Sequence, residues 1–366
     1  MFKILRQLDW SIFIPAVLLI FVGFMAIIST TWQEGQVMKF IDKQIIAVVL
    51  GLILFFLLTL LNYQIFANWA YAFYFIICGL LVFVLFFGRE IRGMRGWFDF
   101  GFFQFQPSEF AKIALLIILA KYFSSISGKP SRFQYVVVSG ILTLIPTLLV
   151  LAQPDLGSAL ILVFMWLFML LVSGVKKHHI LALIVGGIFV FFIGWHFILL
   201  PYQKERILTF VNPARDPLGA GYHLIQSKIA VGSGEIFGRG LGRGPQSQLK
   251  FLPDKHTDFI FAVIAEELGF LGAGMLLGLL LFLIWRIIVL ARQVHDEFAM
   301  MLILGALLFF LIQIFVNIGM NLGILPIAGV PLPLVSYGGS AMITVLLVLG
   351  ILESVAIYSK SGGEKR

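Results

Sequence analysis

The chain has 366 residues, 60% of them hydrophobic and only 12% charged, with a mean hydropathy of +1.03, whereas soluble domains run near a quarter charged. Apolar runs of about 18 residues or more cross roughly 30 Å of hydrocarbon as helix; they exclude a soluble globule, and also a β-barrel, whose segments alternate over about ten residues. The net charge of +8 fits anchoring at anionic membrane lipids and calls for no nucleic acid, while the lone Cys78 excludes a disulfide framework and a cysteine metal site.

Apolar stretches and polar breaks predict an all-α polytopic membrane protein of about ten transmembrane helices. The spans read as 10–30, 43–61, 66–87, 108–123, 134–151, 157–175, 178–200, 258–285, 299–322 and 336–358, in one transmembrane domain over 1–366. The first follows Lys3 and Arg6 with no small-residue cleavage site after it, and reads as a retained span. An even number of spans puts both termini on one side. Lys3, Arg6, Lys121, Lys129, Arg132, Lys176, Lys177, Arg286, Arg292, Lys360, Lys365 and Arg366 all fall there, which predicts that this side is cytoplasmic.

The outer side is unusual in its own cations. Arg89, Arg92 and Arg95 lie between spans three and four, and the long loop 201–257 carries eight further Lys or Arg. Such residues fit an anionic ligand or, equally, lipid headgroups. The long loop alternates turn signals (Asn212-Pro213, Asp216-Pro217-Leu218-Gly219, a glycine-rich run at 232–244) with amphipathic pieces, which predicts a partly ordered segment on the membrane surface.

Ionisable groups at span ends are costly to place in a membrane, so each is a functional candidate. Gln106-Pro107-Ser108-Glu109 opens span four, with Lys112 three residues on and therefore on the face of Glu109. The pair serves either a cavity or helix packing. Gln153-Pro154-Asp155-Leu156-Gly157 is a sharp turn whose Asp155 either caps span six or sits at a cavity rim. His256-Thr257-Asp258 opens span eight, and Thr257 as cap would leave Asp258 at the first helical position. Glu266 and Glu267 lie two turns deeper and read as packing or network acids. The uncharged Pro/Gly segment 329–340 leads into span ten, where backbone amides and the hydroxyls of Ser336 and Tyr337 could bind sugar or phosphate; a plain re-entrant connector is the alternative.

The stretches QPSEFAKIA, QPDLG, DPLGAGYHLIQSKIAVGSG, SQLKFLPDKHTDFIFAVIAEELG and NIGMNLGILPIAGVPLPLVSYGGS resemble the SEDS family of cell-wall polymerases. The likeness covers most of the chain, and the short N-terminus and Gln246-Ser247-Gln248-Leu249 resemble its rod-shape branch more than its division branch. The resemblance implies a peptidoglycan glycosyltransferase that polymerises lipid II, an undecaprenyl-pyrophosphoryl disaccharide-pentapeptide, during cell elongation on the outer face of the bacterial cytoplasmic membrane. It also implies a class B penicillin-binding protein as partner. Asp258 matches the family's essential aspartate; Glu109, Lys112 and Asp155 match cavity positions, and Arg95 falls where the family has a basic residue. On this reading Asp258 is the general base and Lys112 and Arg95 face the pyrophosphate. A divalent cation, Mg or Mn, could bridge carboxylate and phosphate, although the sequence has no dedicated metal motif. A lipid II flippase and a scaffold that recruits wall enzymes are the rival readings. The charges cluster at outer span ends and not at the midplane, which disfavours a transporter.

Overall fold

A computed structural model describes residues 7–32, 37–91, 93–101, 104–126, 133–198, 201–213, 219–249, 251–252 and 254–361. The turn at 216–218 and the cations Lys3, Arg6, Arg92, Lys129, Arg132, Lys365 and Arg366 lie outside the described residues. Three helices precede the first turn-rich segment: α1 (Trp10–Thr31), α2 (Val37–Leu60) and α3 (Gln64–Phe87). A small antiparallel sheet follows, of β1 (Arg89–Ile91), β2 (Met94–Asp99) and β3 (Gln104–Phe105), with β2 central. Then come α4 (Pro107–Ser125), α5 (Phe133–Leu151), α6 (Leu156–Val172) and α7 (Lys177–Ile193), the last continuing as a π-turn over Gly194–Ile198.

Where the sequence predicts a loop at 201–257, the chain forms α8 (Pro201–Val211), α9 (Ala220–Ser233) and the single turn α10 (Pro245–Gln248). The bundle ends with α11 (Ile260–Gln293), α12 (Glu297–Asn321) and α13 (Gly339–Ser361). The ten predicted spans map in order onto α1–α7 and α11–α13, a multi-pass membrane protein. Seven of the described helices are long and apolar enough to cross a membrane by themselves, and α6 is a shorter apolar one.

The packing has a centre and a rim. Helices α4, α12 and α13 are buried along most of their length, α13 lying along α2 and α12 against both α4 and α6. The rim helices turn Phe21, Phe75, Phe86 and Phe189 outward, each more than half exposed. In water such a belt would be an aggregation surface, and in hydrocarbon it is the matching one. Between helices lipid gives no hydrophobic drive, so close approach uses small residues: a Cβ at Gly23 of α1 would stand 2.4 Å from the Val335 carbonyl oxygen.

One span departs from expectation. The predicted continuous helix 258–285 is broken at Gly269, whose φ of 67° and ψ of −164° suit only glycine. The turn segment after α9 fills the break: Arg239 and Gly240 N–H donate to the Glu266 and Glu267 carbonyls at 2.9 Å, and Phe270 and Leu271 N–H donate to the Glu235 and Ile236 carbonyls at 2.8 and 3.1 Å. Backbone groups freed by the break are thus satisfied inside the protein, the condition for irregular backbone at membrane depth. The two acids before the break are network residues. Glu266 accepts from the Gln246 and Ser247 N–H groups at 2.7 and 3.0 Å, capping α10, and Glu267 accepts from Ser29 and Gln248 side chains at 2.6 and 3.2 Å.

Candidate active site

Pro107 occupies the first turn of α4, where its missing N–H costs nothing, and this places Glu109 in the same first turn and Lys112 one turn further in. Lys112 Nζ donates to Glu109 Oε1 at 2.6 Å, with both side chains almost wholly buried. Among the described residues Glu109 Oε2 has no hydrogen-bond partner. Asp155 caps α6, accepting from Ser158 N–H at 2.9 Å, while its other oxygen accepts from Ser108 Oγ at 3.3 Å. Of the two roles that the sequence left open the structure shows the cap, and the same carboxylate ties the start of α6 to the start of α4. Gln153 donates to the Leu81 carbonyl at 3.3 Å, and its Oε1 has no hydrogen-bond partner among the described residues.

The turn after Asp155 runs against the Pro/Gly segment. A Cβ at Gly157 would meet the Ala328 carbonyl oxygen at 2.2 Å, so only glycine permits this approach. Next to Ala328, Gly329 (φ 68°) faces Asp258, whose Oδ2 would lie 3.7 Å from an added Cβ. Contacts therefore lead without interruption from Lys112 and Glu109 through Ser108, Asp155 and Gly157 to Gly329 and Asp258. The four motifs singled out in the sequence form one region at one end of the bundle.

Thr257 does not cap α11, and Asp258 is not its first residue. The helix starts at Ile260 after Phe259, which supplies no side-chain cap. Three consecutive carbonyls, those of His256, Thr257 and Asp258, are held instead by donors from the C-terminal third. Tyr337 N–H donates to His256 at 2.8 Å, Ser336 Oγ to Thr257 at 2.6 Å, and the Nδ2 groups of Asn317 and Asn321 to Asp258 at 3.1 and 2.9 Å. Ser336 Oγ also accepts from Leu332 N–H at 2.8 Å, so this buried hydroxyl joins two backbone segments. Tyr337 is half-buried, its ring packed against Phe40 and His256. Gln44 of α2 pins the same loop, donating to the Ser336 carbonyl at 3.4 Å and accepting from Gly338 N–H at 3.2 Å.

Of the carboxylates Glu109, Asp155, Asp258, Glu266 and Glu267, Asp258 alone is partly exposed. Arg95 stands apart on β2, about half exposed, with its guanidinium 3.8 Å from Glu90 on the facing strand. The neighbouring Gly96 is buried beside Gln153 Oε1, which sets the hairpin over the Asp155 turn. Arg89 and Asp99 form an ion pair across the same hairpin. Gly101 N–H and then the Arg89 guanidinium hold the partly buried Asp99 carboxyl below its usual range. No group of three or more His, Cys, Asp or Glu side chains that could hold a metal occurs among the described residues. The sequence reading missed Asn317, Asn321 and Gln44, although three uncharged amides at membrane depth are costly without partners and to that extent were visible.

The model of the FtsW/RodA/SpoVE family, described as cell cycle protein, matches residues 9–361. The chain is 40% identical over 349 residues to the peptidoglycan glycosyltransferase MrdB of Escherichia coli K12, covering 94% of each chain. It superposes on a chain of a solved peptidoglycan synthase complex with a TM-score of 0.81 at 37% identity, covering 97% of this chain and 98% of that one. The rod shape determining protein RodA of Thermus thermophilus gives 0.71 at 30% identity, covering 96% and 97%. With a family match over nearly the whole chain and the family's motifs gathered at one end of the bundle, this chain belongs to the FtsW/RodA/SpoVE family, the SEDS family of the sequence motifs.

Proposed function

We propose that this chain is a peptidoglycan glycosyltransferase of the elongation type, polymerising lipid II at the bundle end that carries Asp258, and that this end faces outward from the cytoplasmic membrane. The observation that carries the reading is the partly exposed Asp258 on a backbone clamped at three successive carbonyls, within a family whose relatives are named for this activity. Polymerisation forms a bond between the acceptor 4-hydroxyl oxygen and the donor anomeric carbon while the bond from that carbon to pyrophosphate breaks. The hydroxyl proton passes to the Asp258 carboxylate, and undecaprenyl pyrophosphate leaves with the electron pair. A base near the operating pH and within hydrogen-bond reach supplies typically 10²–10⁴-fold.

The leaving group's charge needs cations. Lys112, already charge-paired with Glu109, and Arg95 on the hairpin are the assigned ones, and Asp155 shapes the rim by joining α4 to α6. Tyr337 presents a ring beside His256 for a sugar face, whereas Ser336 supports the Asp258 segment. A divalent cation would take the Asp258 carboxylate and pyrophosphate oxygens as ligands and would supply charge neutralisation; the proton transfer and the departure of pyrophosphate are complete without it. The partner implied by the family resemblance is a class B penicillin-binding protein, and the structural neighbour from a synthase complex that coordinates polymerisation and crosslinking supports a crosslinking partner.

The test is purified protein in detergent or nanodiscs incubated with lipid II, products being separated as glycan strands. Polymer from the wild type and none from Asp258→Asn is the expected result. Lipid II crossing a vesicle bilayer without polymer would turn the reading to a flippase, and neither activity with intact partner recruitment would turn it to a scaffold.

A further inference from the structure

The N–H groups of Thr257, Asp258 and Phe259 are held locally, donating to the Asp254 carbonyl at 3.0, 3.1 and 3.4 Å, whereas the carbonyls from His256 to Asp258 take their donors from distant parts of the chain. Phe259 stands at the cap of α11 without a capping side chain, so the helix's first N–H groups need partners from elsewhere. Two wholly buried amides stand one turn apart on α12, Asn317 and Asn321, and Asn321 supplies the acceptor. Asn321 Oδ1 accepts from Ala262 N–H at 3.2 Å, capping α11 from a neighbouring helix. Its Nδ2 donates to the Asp258 carbonyl at 2.9 Å and to the Asn317 carbonyl at 2.8 Å. Asn317 Nδ2 donates to the Asp258 carbonyl at 3.1 Å and to the Val330 carbonyl at 2.8 Å, the latter belonging to the residue after the glycine that faces Asp258. All four amide hydrogens thus serve carbonyls, and this fixes which end of Asn321 is oxygen.

We propose that Asn317 and Asn321 are positioning residues for Asp258, setting its peptide plane and the spacing between its carboxylate and the Gly329–Val330 segment, so that the base stands at a fixed place against the attacking hydroxyl. This rests on the glycosyltransferase reading above. The pair touches no reacting atom. Its effect is geometric, and a misplacement of about 1 Å can cost up to 10²-fold in rate.

Asn321→Asp separates this role from a capping role. The variant is nearly isosteric and keeps the acceptor for Ala262, but it points oxygen where two carbonyls need a donor. Capping alone predicts wild-type turnover. Positioning predicts that kcat for lipid II polymerisation falls by about tenfold or more while KM stays within about twofold, the pattern of an interaction that matters in the transition state. Monodispersity in detergent and the thermal unfolding midpoint are read on the same sample. If Asn321→Asp does not fold, Asn317→Ser, which keeps one donor in a smaller side chain, carries the same test, with an expected intermediate loss of kcat. Either variant folded with wild-type kcat, or with a loss confined to KM, overturns the proposal. Asp258→Asn run in parallel keeps the two ideas apart. If it is inactive while the asparagine variants are active, only the positioning role falls; if it is active, the assignment of the base falls.

Discussion

The two ends of the helix bundle both hold charge, and they hold it differently. At one end Arg286 of α11 grips both oxygens of Asp9, which caps α1 through Ser11 N–H and whose own N–H donates to Glu353 of α13 at 3.0 Å. Three helices are closed on one another there by an ion pair that is four-fifths or more buried. At the other end Glu109 keeps a buried oxygen without a partner among the described residues, Asp258 is partly exposed, and the surrounding chain is turn and loop. The first end is a junction that ties three helices through the buried Arg286–Asp9 pair, while the second presents a partly exposed carboxylate, the state that suits a ligand. On this comparison substitutions at the first end should cost stability, and those at the second should cost chemistry.

The largest effect belongs to Asp258. Asp258→Asn keeps shape and the backbone clamp, since the three held carbonyls are main chain, and it removes basicity. Polymerisation should fall at least about 100-fold with membrane insertion and lipid II binding retained. Glycan synthesis at a normal rate by the purified variant would remove Asp258 as the base.

Next comes the Lys112–Glu109 pair. Removing one partner leaves the other charge uncompensated at membrane depth, so either single truncation should lower activity or yield more than the loss of both would suggest, with a coupling of roughly 1–3 kcal/mol. A double-mutant cycle in polymerisation rate measures it, and simple additivity would mean that the 2.6 Å contact has no functional weight. Arg286→Ala, at the opposite end, should do the reverse. A thermal midpoint lowered by loss of a partly buried ion pair, roughly 2 kcal/mol, with turnover per folded molecule unchanged, would sharpen the contrast between the ends; loss of turnover without loss of stability would break it.

The sequence made the spans legible because lipid enforces one simple rule, long apolar helices, and it made Asp258, Glu109, Lys112 and Asp155 legible because charge at a span end is expensive. The break at Gly269 was not legible as a break. Residues 260–293 are apolar enough to read as one helix, and what permits the interruption is the segment 235–240 hydrogen-bonding beside it, a long-range fact. The start of α11 misled for a similar reason. Thr257 looks like a local cap, while the acceptor comes from Asn321, 59 residues away from the N–H that it caps. Ser336 was visible as a hydroxyl in a loop, and its Leu332 partner lies four residues away in that loop, but its partner Thr257 is 79 residues away and only the fold brings it there.

The smallest effect concerns the hairpin, which lies between the two regimes. Arg95 is about half exposed and 3.8 Å from Glu90, a surface pair worth at most about 1 kcal/mol to stability, so Arg95→Gln should leave the fold intact. The hairpin is held by other means. Asp99 takes Gly101 N–H and the Arg89 ion pair, and its carboxyl lies below the usual range. That contribution is fully present above the unfolded carboxyl's pKa and fades only as pH falls through the lowered folded value, so assays near neutral pH find the hairpin in place. If Arg95 holds a pyrophosphate oxygen pair, Arg95→Gln should weaken lipid II binding by a few-fold, on the scale of one exposed charge-assisted contact, with little change in the rate of bound substrate. Arg95→Lys should restore part of the binding, since an ammonium is a point charge and lacks the planar fork. Binding to lipid II in nanodiscs and single-turnover polymerisation, measured separately, decide the matter. Undiminished binding by Arg95→Gln would assign Arg95 to anionic headgroups and leave Lys112 as the cation facing the leaving group.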